Sequence, residues 1–211
     1  MSAASDREAM AKAFRVFLLG VEDVLGKPGL ATTLRRANLT QYLENYPPPT
    51  TERAGHKARY ITQIARVIYN LYGARGSRAI MQRVGRAQAK SGMAENQTLV
   101  NVTKAAMKFV PIQRRIHLAI EMAARAVNEQ IGDDVHLIEE GNTLYYDSHE
   151  CCYCIDWSGE STAVCYAAAG FLHGLLAALI PDTEFRVDEM LCRAKGDALC
   201  RYRISIVEPN G

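Results

Sequence analysis

A carboxylate and two thiols crowd one short C-terminal run, Glu189-Met190-Leu191-Cys192-Arg193-Ala194-Lys195-Gly196-Asp197-Ala198-Leu199-Cys200-Arg201-Tyr202. A third thiol, Cys165, opens an apolar stretch upstream. Three sulfurs and one oxygen complete a tetrahedral donor set for zinc. Cys192 and Cys200 lie four residues before and four after Gly196. A hairpin with its tip at 195–198 would set them opposite one another on neighbouring strands. Glu189 and Cys192 are three apart, so a flat strand would turn them to opposite faces, and one shared ion demands a bulge or a strong twist between them. Two facing strand cysteines also suit a small apolar core pair or a cross-strand disulfide. Spacing alone leaves all three open.

Other residues could carry chemistry. Cys151-Cys152-Tyr153-Cys154 is a second sulfur group, on a predicted strand where Cys152 and Cys154 share a face. An iron–sulfur cluster needs four thiolates, which a strand presents poorly; core packing is the simpler account. His117, His149 and His173 stand alone, each as compatible with a core or surface role as with catalysis. Tyr145, Tyr146, Trp157 and Phe171 gather near the predicted sheet, as core or as an aromatic lining for a planar ligand. The candidate pocket lies between sheet and helices, at His117, Tyr145, Tyr146 and Phe171, with His117 as the polar group that orients the ligand. No nucleophile elbow, phosphate loop or zinc-protease motif is present. Gly73-Ala74-Arg75-Gly76 follows no predicted strand and makes no dinucleotide fingerprint.

The elements that must position these groups change character along the chain. Ser5-Asp6-Arg7-Glu8 is a capping-box pattern, and Phe14, Phe17, Leu18, Val21, Val24 and Leu25 follow at helical spacing. Gly26 and Pro28 end that helix, and a second covers 30–37. The stretch 46–51, with three consecutive prolines, reads as an extended linker. Tyr60, Ile61, Ile64, Val67, Ile68 and Leu71 restore the helical period up to Gly73; further helices are predicted at 76–89, 99–109 and 112–127. Then 135–139 and 143–154 read as a hairpin, 162–180 as an alanine-rich helix, and 184–192 with 199–207 as a second hairpin. Helices, hairpin, helix, hairpin is an α+β order. It predicts an antiparallel sheet of two hairpins with helices packed on it, preceded by a helical N-terminal half.

The chain has 211 residues, 48% of them hydrophobic, enough for one full core and an appended helical layer. We expect residues 1–46 to form an N-terminal helical region and 56–211 the main domain. The apolar face of the first helix needs a partner, this domain or a second copy, which predicts a homodimer. No basic segment precedes an apolar run at the start, so no signal peptide is read. The apolar stretch 163–180 is broken by Tyr166 and His173 and reads as a buried helix and not a membrane span. Six cysteines in that context suggest reduced thiols or metal ligands in the cytoplasm. Residues 53–125 carry 14 Lys/Arg against 2 Asp/Glu, whereas 126–185 carry 11 Asp/Glu and no Lys/Arg. Two solvated faces of opposite sign are the plain account and the favoured one; a basic surface for an anionic ligand, phospholipid or nucleic acid is the sharper alternative. No nucleic-acid motif accompanies the basic stretch, so no nucleic-acid partner is expected.

The pattern Cys165-x4-Gly170-x3-Gly174, then Glu189-x2-Cys192-x-Ala194-x-Gly196-Asp197-x2-Cys200-Arg201-Tyr202, resembles the 4-vinyl reductase domain. That domain is named from a protein associated with bacteriochlorophyll synthesis, and its relatives are described as hydrocarbon-binding. The resemblance is strongest over 165–206. It implies a fold shared with TRAPP vesicle-tethering subunits, with the sensory domain of phenol-responsive activators and, more distantly, with haem-based nitric-oxide sensors. It also implies a structural zinc ion on Cys165, Glu189, Cys192 and Cys200. The phenol sensors use a histidine from the helix before the sheet, close to His117, and a tryptophan on the first hairpin, where Tyr145 and Tyr146 stand here. Hydride delivery would need a nicotinamide, flavin or iron–sulfur site, and the sequence offers none. The resemblance therefore implies a zinc-containing binder of an apolar or tetrapyrrole-like molecule, an accessory or carrier protein in bacteriochlorophyll synthesis. The alternatives are a vinyl-group reductase with an external electron donor and a non-enzymatic TRAPP-like scaffold.

Overall fold

The computed structural model describes residues 7–207 except 54, 96 and 142. Ser5 and Asp6 of the capping-box pattern, and Asn142 of the first hairpin turn, lie outside the described residues. The helices are α1 (Ala11–Arg36), α2 (Arg59–Ala94), α3 (Gln97–Met107), α4 (Ile112–Ile131) and α5 (Tyr166–Leu179). The strands are β1 (Val135–Glu140), β2 (Thr143–Ser148), β3 (Phe185–Leu191) and β4 (Cys200–Ile206). All strand pairs are antiparallel, in the order β1-β2-β4-β3. The expected α+β architecture is present.

The helix punctuation follows the sequence. α1 breaks at Gly26 and α2 at Gly73, both at φ +68°, and Pro28 begins the new turn after the first break. α4 starts directly after Pro111, whose missing N–H costs nothing at a helix start. On β4 the period-two alternation is clean: Cys200, Tyr202 and Ile204 are buried beneath the helices, and Arg201 and Arg203 face outward.

Two close crossings organise the helical layer. A Cβ on Gly85 of α2 would stand 2.0 Å from the Ala167 carbonyl oxygen of α5. One on Gly170 of α5 would stand 2.2 Å from the Gln82 carbonyl oxygen of α2. The two backbones therefore touch, which only glycine permits. α1 meets α2 at Gly20, where an added Cβ would lie 3.0 Å from the Val84 carbonyl oxygen.

Phe14, Phe17 and Leu18 of α1 are completely buried within this one chain, in a core shared with Ile61, Ile64 and Ile68 of α2. Each such burial contributes about 1.5–3 kcal/mol. The apolar face that prompted the expected homodimer is thus already covered by the chain's own residues.

One element differs from expectation. The second strand ends at Ser148, not at 154, and Cys151 to Cys154 form turns. The cause lies in α2: Thr62 donates its hydroxyl to the Cys152 carbonyl at 2.6 Å and accepts the Ile155 N–H at 3.0 Å. Gln88 accepts the Tyr153 hydroxyl at 3.1 Å. Side chains of a distant helix thus satisfy a backbone that a strand partner would otherwise have to satisfy.

The α2–α5 contact also predicts a pH dependence. Burial, then the nearby Arg86, lower the pKa of His173 on α5 below its usual 6.5, against a smaller opposing effect of Glu184. The folded state favours the neutral ring, so the unfolded chain takes up the proton first as pH falls. Stability is full above about pH 6.5 and declines below it. Urea midpoints should fall between pH 7 and 5.5 in the native sequence and fall less in His173→Gln.

Candidate functional site

The turn 151–154, the start of α5, the end of β3 and the start of β4 converge on one buried group of side chains. Cys165, Glu189, Cys192 and Cys200 bring one donor atom each within 4.8 Å of one another, and so do Cys151, Cys154, Cys165 and Cys200. Cys154 and Cys200 sulfurs are 3.5 Å apart, Cys165 and Cys192 3.8 Å, and Cys165 and Cys200 3.9 Å. The register of β3 against β4 shifts between Glu189 and Leu191. This is the bulge that the three-residue spacing required, and it turns Glu189 and Cys192 to the same side.

The chain holds this group by its own hydrogen bonds. Glu189 Oε2 accepts the Cys165 N–H at 3.1 Å, and Asp197 accepts the Cys192 N–H at 2.8 Å across the Gly196 turn. The Arg193 N–H donates to the Cys200 sulfur at 3.4 Å. Burial, then the neighbouring Cys192 sulfur, push the Glu189 carboxyl well above the ordinary carboxylate range. The facing thiols of Cys154, Cys165 and Cys200 pull Cys192 down, while burial pushes Cys165 up. All six cysteines are free and buried, an environment in which thiols react slowly with external reagents.

The sequence-derived pocket residues do not assemble into one pocket. Tyr145 and Tyr146 are adjacent on β2 and point to opposite faces. Tyr146 is buried edge-to-face on Tyr202 at 5.9 Å, whereas Tyr145 lies outside beneath the Arg201 guanidinium at 5.2 Å. Phe171 sits on α5 where that helix crosses Gly85. His117 alone lines a cleft, of about 270 Å³, between the start of α4 and the β1–β2 hairpin. Ile116 and Leu144 line it with apolar surface; Gln113, Arg114, Glu139 and Thr143 bring polar groups. His117 Nδ1 is bonded to Glu139 Oε1, and its Nε2 lies 3.9 Å from Glu121. No sequence signal marked Glu139 as the partner, because only the hairpin's position against α4 brings it there. Cys151 and Cys154 did carry a signal, an i, i+3 spacing suited to a turn, which the strand reading concealed.

The chain matches no family model and no curated protein. Solved structures do match. An H-NOX protein from S. oneidensis in the Fe(II)NO ligation state gives a TM-score of 0.58 at 10% identity, over 92% of this chain and 99% of that one. A structure probing the function of heme distortion in the H-NOX family gives 0.59 at 12% identity, over 96% and 97%. The phenol-responsive sensory domain of the transcription activator PoxR, with phenol, gives 0.51 at 12% identity, over 74% and 79%.

These findings correct two expectations. The resemblance to the 4-vinyl reductase domain does not hold: no family model of that domain matches, and the similar folds are H-NOX proteins and a phenol sensor. The residues that carried it have local explanations. Gly170 serves the α2 crossing, Gly196 and Asp197 build a turn, and Arg201 pairs with Asp147. The structural zinc ion on Cys165, Glu189, Cys192 and Cys200 does not stand either. The similar structures are described by heme, Fe(II)NO or phenol and not by zinc. The donors are moreover a network of five thiols and a carboxyl, tied by hydrogen bonds, and not an isolated tetrahedral set.

A haem does not fit this chain's residues. Haem iron takes an axial histidine, thiolate, methionine or tyrosine beside a cavity for the macrocycle. None of the five histidines is buried: His136 is exposed and the other four are half-buried. The thiols and Tyr146 and Tyr202 are packed against one another in the core. The histidine-lined cleft is smaller than the roughly 300–1,000 Å³ of ordinary ligand pockets. At these identities, what the chain shares with the H-NOX and phenol-sensor structures is their fold.

Proposed function

We propose that this chain is a non-catalytic small-molecule-binding domain of the sensory type, whose ligand occupies the cleft between α4 and the β1–β2 hairpin. The observation that carries this reading is the His117–Glu139 pair at a cleft with both apolar and polar walls. A space of about 270 Å³ suits a single ring or a molecule of similar size, and not a tetrapyrrole. Ile116 and Leu144 would contact its apolar part. A hydroxyl or amide on the ligand would exchange hydrogen bonds with His117, Glu139, Gln113 or Thr143. The likeness to a phenol-responsive domain supports a ligand of this class. Among the described residues no helix is long and apolar enough to cross a membrane.

The test is a titration with phenol and substituted phenols, followed by NMR shifts of residues 113–117 and 139–144. Saturable shifts confined to those segments, lost in His117→Ala with the fold retained, are the expected result. Equal shifts in the native protein and His117→Ala, or none with any member of the panel, would remove the reading.

A further inference from the structure

A second cleft, of about 310 Å³, lies between α1 and α2. Asp23 and Val24 line it from α1, and Arg83, Arg86, Ala87 and Lys90 from α2. Its origin is local. At Gly20 the two helices are in near contact with Val84 and Gln88. One turn further along α1, Val24 and the short Ala87 line a hollow that neither side chain closes. Arg83, Ala87 and Lys90 share one helical face at i, i+4 and i+7, so two cations flank a small floor, and Arg86 borders it.

Some cations of the molecule are in ion pairs and others, Arg35, Arg36, Arg75 and Arg114 among the described residues, are not. Arg7, Arg125, Arg186, Arg193, Arg201 and Arg203 are each paired with a carboxylate. Among the described residues, Arg83, Arg86 and Lys90 are in no ion pair, and Asp23 is in none with them. Three cations against one carboxylate leave the lining with a surplus of two positive charges. Chance placement on a solvated helix face does not require those cations to border a concave space.

We propose that this cleft binds a phosphomonoester, with Arg83, Arg86 and Lys90 on the phosphate and Asp23 on a hydroxyl or amine of the same molecule. A phosphomonoester carries a charge near −2 at neutral pH, which matches the surplus. Guanidinium forks suit its oxygens in pairs, and the lysine adds a point charge. A cleft of about 310 Å³ suits a small head such as glycerol phosphate. This site is separate from the His117 cleft and does not depend on its function.

Calorimetry with glycerol 3-phosphate and with inorganic phosphate, beside sedimentation with phosphatidate vesicles, tests the proposal. Saturable binding of glycerol 3-phosphate should weaken at least tenfold in Arg83→Gln/Arg86→Gln, and severalfold at high salt. Asp23→Asn should weaken glycerol 3-phosphate relative to inorganic phosphate, whose binding should hold or tighten as a carboxylate is removed. Binding to vesicles alone would identify a lipid headgroup as the source of the phosphomonoester, and binding of the soluble ester alone a free metabolite; both support the site. Lys90→Gln, at an exposed position, serves if the double variant fails to fold. No binding in any arm, or full affinity in a folded Arg83→Gln/Arg86→Gln or Lys90→Gln protein, would overturn it.

Discussion

Gly85→Ala and Gly170→Ala should each destabilise the protein by about 3 kcal/mol or more, through a single methyl group. The methyl would fall 2.0 Å from a backbone oxygen in one case and 2.2 Å in the other. Backbone cannot rotate away as a side-chain tip can. The helices must separate, and the packing of Ala167, Leu172 and Leu176 against α2 goes with them. A domain of this size has about 5–15 kcal/mol in total. The melting temperature should therefore drop by roughly 6–12 °C, at about 2–4 °C per kcal/mol. Gly92→Ala is the control on the same helix. Among the described residues nothing lies within 4 Å of its added Cβ, so helix propensity should raise stability by about 0.4–1 kcal/mol. Equal melting temperatures for Gly85→Ala and Gly92→Ala would show that α2 and α5 do not touch at these glycines.

Much of this architecture was legible in the sequence, because it rests on local rules. Gly26, Pro28, Gly73 and Pro111 punctuate the helices where their backbone chemistry dictates, and the period-two run Tyr202, Ile204, Ile206 marks β4. The bulge before Leu191 could be inferred because Glu189 and Cys192 were required on one side. The end of β2 could not. Cys151 to Cys154 have strand-like composition, and the hydrogen bonds that pull them into turns come from Thr62, about 90 residues away in sequence.

The candidate sites were less legible, for a related reason. The thiols announced themselves by type and spacing, and the fold does gather them, but residue type said nothing about what would share their hydrogen bonds. Aromatic residues near the sheet suggested one pocket. Alternation on β2 separates Tyr145 from Tyr146, and Tyr146 is taken up by Tyr202 in the core. His117 belongs to a cleft whose other walls come from the hairpin at 139–144. Such a neighbourhood depends on how α4 docks against the sheet, which no local pattern encodes.

Arg201→Met should cost about 3 kcal/mol, although it replaces a partly exposed surface residue by one of similar length. Arg201 and Asp147 face each other across β4 and β2. The guanidinium makes a two-pronged contact, Nε to Oδ1 at 2.7 Å and Nη2 to Oδ2 at 2.5 Å. Asp147 is only 2% exposed. Removing the arginine strands a desolvated carboxylate, and breaking a buried pair in this way costs about 3–5 kcal/mol. The Arg201 side chain keeps 28% exposure, so water can reach part of the gap and the lower end applies. Tyr145, stacked under the guanidinium, loses its cover as well. Asp147→Asn/Arg201→Met should recover much of the loss, because no charge is then buried. The double-mutant cycle should return a coupling of about 1–3 kcal/mol by urea denaturation. Additive single effects would mean that the pair contributes only as two independent side chains, and that β2 and β4 are held together by their ladder and the Tyr146–Tyr202 contact alone.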